Sequence, residues 1–138
     1  MSSDREKLIE TWAADWTSGD LSHFLTLFTD SCVYEDVAFG AVHHGKDELK
    51  TFVEGIRSAF PDFRVEVVTR FATKDSGGAE WKMSGTHRGD LPGMPATNKQ
   101  FTIRGASVFE FESERIRRCS DYWDQAALLK QLGFMNSD

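Results

Sequence analysis

Residues 115 to 133, RIRRCSDYWDQAALLKQLG, read as a strand that runs directly into a short helix. Alternate residues of a strand face opposite sides. Cys119, Asp121 and Trp123 therefore share one face, and Ser120, Tyr122 and Asp124 the other. A carboxylate between Cys119 and Trp123 sits in an apolar wall. Desolvation there raises its pKa toward the range useful for general acid/base work. The competing reading is an acid facing solvent at a strand end. Asp124 immediately precedes the helix and suits an N-cap.

Upstream the pattern is again strand. Phe63, Val65, Val67, Thr69 and Phe71 alternate with Arg64, Glu66, Val68 and Arg70, and residues 75–78 form a turn. Trp81, Met83, Gly85 and His87 share a face of the next strand, which turns His87 toward whatever that face covers. The stretch GDLPGMPATNKQ, 89–100, is a Gly/Pro-rich connection, and a strand over 101–111 leads into the last one. The first half is mostly helical. Leu8, Ile9, Trp12 and Trp16 recur at helical spacing behind a capping box at Ser3 and Glu6, and Gly19 ends that helix. Asp20 opens a second helix, with Leu21, Phe24, Leu25, Leu27 and Phe28 as its apolar side. A short strand, CVYEDV at 32–37, puts Cys32, Tyr34 and Asp36 on one face. The loop AFGAVHHG leads to a third helix from about Asp47 to Phe60, stopped by Pro61. The order predicts an α+β fold: three N-terminal helices on one face of a curved antiparallel sheet, closed by a short C-terminal helix. Such a half-open cone encloses a cavity suited to a small apolar ligand.

Composition bounds the function. With 138 residues and no internal linker or repeat, the chain is expected to form one domain over 1–138. A net charge of −6, and no basic stretch interleaved with aromatics, argue against nucleic acid as a partner. The N-terminal MSSDREKLIE lacks the apolar core of a signal peptide, and no run reaches membrane length. The expected location is therefore the cytoplasm, with Cys32 and Cys119 reduced and buried, and without metal-type spacing.

The chain resembles the nuclear-transport-factor-2-like superfamily, and within it the SnoaL-like polyketide cyclases. The matching pieces are SGDL at 18–21, HHGKDELKTF at 43–52, AFPDFRVEV at 59–67, GTHRGDLPGMPATNK at 85–99 and YWDQAALLKQLG at 122–133. The resemblance implies the cone fold, homodimer pairing, and aldol ring closure of a carbonyl-rich small molecule without metal or organic cofactor. It implies an acid/base carboxylate on the last strand, which falls on Asp121. Some cyclases also carry a histidine on the penultimate strand, and its place here falls on Phe109, which moves no protons. The stretch from Trp12 to Val37 also resembles ketosteroid isomerases, whose general base falls on Asp36 and whose oxyanion-donating tyrosine falls on Trp12. DYW at 121–123 resembles limonene-type epoxide hydrolases, but where those need Arg-x-Asp this chain has Trp81 and Met83.

The candidate acid/base residues are thus Asp121, His87 and Asp36. The candidate ligand wall is Trp12, Trp16, Tyr34, Phe52, Trp81, Met83, Phe109 and Trp123, each of which also suits plain core. A cofactor-free cyclase or isomerase and a non-catalytic small-molecule binding module both remain open.

Overall fold

The computed structural model describes residues 3–136, so positions 1, 2, 137 and 138 of the expected 1–138 domain lie outside the described residues. Helix α1 spans Asp4–Ser18. Its capping box is formed: Ser3 Oγ accepts from Glu6 N at 3.1 Å, and Glu6 Oε2 accepts from Ser3 N at 3.3 Å. Ile9, Trp12, Ala13 and Trp16 make its buried stripe, and Gly19 ends it at φ 76°, a conformation that glycine adopts without penalty. Helix α2, Leu21–Thr26, is capped by Asp20. The chain then turns into strand β1, Phe28–Asp36, four residues earlier than the pattern suggests. Phe28 belongs to this strand rather than to the helix, because it pairs with Ile116 and is fully buried there.

The segment read as a loop contains a short edge strand, β2, Ala41–His44, antiparallel to β1. Helix α3, Gly45–Ala59, buries Leu49, Val53 and Ala59. Arg57 ties its end to its neighbours, donating to Trp16 O at 2.9 Å, Phe63 O at 3.0 Å and Pro61 O at 3.2 Å. Strands β3 (Arg64–Ala72), β4 (Ser76–Thr86), β5 (Gln100–Glu112) and β6 (Arg115–Trp123) follow, and helix α4, Gln125–Leu132, closes the chain.

The six strands form one sheet in the order β2-β1-β6-β5-β4-β3. The expectation of an antiparallel sheet needs one correction: β1 and β6 run parallel. The chain leaves β1 through β2 and α3, builds β3 to β6 as a meander, and re-enters beside β1 in the same direction. This one parallel pairing sets Asp36 next to Asp121 in register. Neighbouring strands lie only about 4.8 Å apart.

Asp124 caps α4, accepting from Ala127 N at 3.1 Å. Asp124→Ala is expected to cost about 1 kcal/mol in urea denaturation. A loss of under a few tenths would mean that the cap carries no weight. No helix among the described residues is long and apolar enough to cross a membrane.

Candidate functional site

A cavity of about 50 Å³ lies between the helices and the inner face of the sheet. All four tryptophans border it: Trp12 and Trp16 from α1, Trp81 from β4 and Trp123 from β6. Phe52 and Met83 line it as well, as the sequence suggests. So do Phe39, Ile56, Phe60, Phe63 and Phe101. The ionisable groups in its wall are Asp36 and Asp121.

Asp121 is held by three donors. Tyr34 Oη donates to Oδ2 at 2.7 Å; Ser107 Oγ and Cys119 Sγ donate to Oδ1 at 2.6 and 3.4 Å. Each hydroxyl is itself oriented by an indole. Trp16 Nε1 donates to Tyr34 Oη at 3.3 Å, and Trp81 Nε1 to Ser107 Oγ at 2.8 Å. With those lone pairs occupied, the hydroxyl protons point at the carboxylate. Trp81 reaches Ser107 by lying across Gly105, where a Cβ would come within 2.5 Å of its ring.

Among the described residues no cation pairs with Asp121 or Asp36. Burial dominates at Asp121 and pushes its pKa up to about 7, against the pull of Ser107 and Tyr34 and with some help from the charge of Asp36. Burial also raises Asp36, to about 6. Its Oδ1 accepts from Phe39 N and Trp123 Nε1, both at 3.1 Å. Trp12 Nε1 is buried and has no partner among the described residues. Among those residues no group of three or more His, Cys, Asp or Glu side chains is placed to hold a metal.

Three sequence-predicted residues sit elsewhere. His87 does not line this cavity. Strand β4 ends at Thr86, so the alternation that would turn His87 inward stops one residue short of it. The ring is fully buried behind Phe60, 5.3 Å between centroids, with Nδ1 3.2 Å from Thr97 Oγ1. Tyr34 stands behind the wall and acts on it through Asp121. Phe109 packs against the edge of Trp12, 5.1 Å between centroids, and pairs with Cys119. The penultimate-strand residue opposite Asp121 is Ser107. Alternation puts Ser107 on the buried face with Phe101, Ile103, Phe109 and Phe111, but a lone small hydroxyl on an apolar face carries no signal of its role.

The chain matches the family model described as SnoaL-like polyketide cyclase over residues 6–132. No curated protein matches it in sequence. Solved structures share the fold at low identity. A protein of Shewanella putrefaciens described as a SnoaL-like polyketide cyclase superposes with a TM-score of 0.86 at 12% identity, covering 98% of this chain and 100% of that one. A protein of Pseudomonas putida described as a polyketide cyclase gives 0.82 at 20%, covering 95% and 98%. A Catenulispora acidiphila protein with a ketosteroid isomerase-like fold, in complex with trimethylamine, gives 0.82 at 22%, covering 93% of each chain. At these identities the likeness is one of fold.

Proposed function

The chain belongs to the SnoaL-like polyketide cyclase family, and from that premise we propose that it is a cofactor-independent acid/base enzyme closing a ring in a carbonyl-rich small molecule by intramolecular aldol addition. The observation that carries this reading is Asp121: a buried carboxylate, without a cation among the described residues, in the wall of an aromatic cavity, with its pKa raised by burial to about 7. Keeping such a group costs stability that a purely passive pocket has no use for.

In the proposed reaction Asp121 removes a proton from a carbon flanked by carbonyls. The electron pair left on that carbon forms the new C–C bond to a second carbonyl of the same molecule. The resulting alkoxide takes back the proton that Asp121 holds. A base with a pKa near the working pH serves both transfers. Trp12 borders the cavity and its Nε1 has no partner among the described residues, and it is the donor we assign to the developing enolate oxygen.

A second reading has its own observation. Asp36 also lines the cavity with a raised pKa, about 6, which suits the base of an isomerase that moves a double bond. A panel of β-dicarbonyl esters and steroid enones, offered to wild type and to the Asp121→Asn and Asp36→Asn variants, separates the readings. Ring closure that dies with Asp121→Asn supports the cyclase. Double-bond migration that survives Asp121→Asn and dies with Asp36→Asn moves the base to β1. Tight binding without turnover, indifferent to Asp121→Asn, would leave a binding module.

Pairing of two copies belongs to the same proposal. Phe71, Val108 and Tyr122 are exposed on the outer face of the sheet, Phe71 at 67%, and supply an apolar contact surface. Light scattering is expected to show a dimer at micromolar concentration, and monomer alone would count against it.

A further inference from the structure

The inner cavity, at about 50 Å³, holds a carbonyl head and little more. Small-molecule sites usually measure about 300–1,000 Å³. Directly outside it lies a groove of about 320 Å³, between α3, the β1–β2 turn and the tip of the 89–100 connection. The two spaces share Phe39, Phe52 and Ile56 as a common wall. On one side of the groove Phe52 stacks on His43, 4.3 Å between centroids and 25° apart, giving a flat aromatic surface. Leu91, Pro92 and Met94 line it as well.

Gly55 supplies an independent observation. It lies in the interior of α3, where glycine is the least favourable residue short of proline. Its φ is not in the left-handed region, and a Cβ built there would meet nothing within 4 Å. Neither backbone geometry nor close packing calls for glycine at this position. What the missing side chain does is leave the groove open, because Gly55 lines the groove and not the inner cavity.

We infer that this groove is the second chamber of the site, holding the planar two- to three-ring body of an aromatic ketone whose carbonyl end reaches the inner cavity, and that Gly55 sets its size. The inference rests on the reading of the inner cavity as the reacting end. Polarity orients the ligand. The inner wall carries Asp36 and Asp121, whereas the groove is apolar apart from Thr51 and His43. Phe39, Phe52 and Ile56 stand between the chambers, so a ligand that fills both at once passes along this shared wall.

The test uses 2-acetylnaphthalene as the probe and titration calorimetry as the readout. Gly55→Leu is expected to weaken binding at least tenfold, and Gly55→Ala by less. Met94→Trp, which fills the groove from another side, is expected to act like Gly55→Leu and carries the test if that variant does not fold. Melting followed by circular dichroism should place Gly55→Leu at or above wild type, because leucine favours the helix. Binding should also move the Trp12 indole N–H resonance, since the ketone oxygen is placed there. Wild-type affinity in the folded Gly55→Leu or Met94→Trp variant, no binding to wild type, or binding that leaves the Trp12 signal in place would each overturn the inference. Binding that depends on Gly55 in a protein that turns over no carbonyl substrate keeps the chamber and removes the enzyme reading. Turnover of ring-bearing substrates that Gly55→Leu leaves unchanged removes the chamber alone.

Discussion

Asp121→Asn is expected to lower kcat/KM for ring closure by about 10²–10⁴-fold, the usual weight of a positioned acid/base group, with substrate binding little changed. Asparagine keeps the size of the side chain and one acceptor oxygen, but it cannot take a proton from carbon. The loss therefore falls on the transition state rather than on the cavity. In the wild type, kcat/KM should rise with pH through about 7 and level off, because the base must be ionised to act. A rise centred near 6 instead would point to Asp36. Full activity in Asp121→Asn, measured by steady-state kinetics on a substrate the wild type cyclises, would remove the proposed role.

The same substitution should alter how stability depends on pH. Burial raises Asp121 from 3.8 in the unfolded chain to about 7 in the fold, so the folded state binds the proton more tightly. Stability from this group is complete below pH 3.8 and is lost as pH climbs through about 7. A displacement of that size corresponds to roughly 4 kcal/mol between the two ends of the window. Asp121→Asn does not titrate. Its stability relative to wild type should therefore grow by an amount of that order from pH 4 to pH 8, as read from urea denaturation at each pH. Part of the gain is offset at every pH, because an amide nitrogen now faces one of the hydroxyl donors, Tyr34 or Ser107. A flat difference across the window would show that Asp121 is ionised in the fold at ordinary carboxylate pH.

The local parts of this molecule were legible in the chain. The Ser3 capping box, the Asp20 and Asp124 caps, the Gly19 stop and the α1 stripe each depend on residues within one or two helical turns. Any sequence that carries those signals must satisfy its backbone groups in much the same way. The alternation along the last strand likewise placed Asp121 and Trp123 on one face, and the cavity receives both. Strand β2 was not legible, because four residues on an edge carry too little pattern. His87 was misplaced because alternation holds only while the chain stays in the sheet, and β4 ends one residue earlier. Phe109 took the histidine's place by resemblance alone; the pairing sets Phe109 opposite Cys119 and Ser107 opposite Asp121, and a resemblance carries no register.

By itself, then, the sequence determined the elements other than β2, their order, the buried faces of β1, β4 and β6 and the two carboxylates worth considering. A bulge after Val67 turned Phe71 to the outer face, against the alternation of β3. Only the tertiary structure decided that Asp36 and Asp121 are neighbours, since that follows from the parallel pairing of β1 with β6, in which Tyr34 partners Cys119 and Asp36 partners Asp121. It alone decided that two hydroxyls, each oriented by an indole, hold Asp121, and that the space beside it divides into a small inner cavity and a larger groove. Caps and stripes are settled by hydrogen bonds and burial within a few residues. Register, pairing direction and cavity size depend on which distant segments pack together, and no local pattern records that choice.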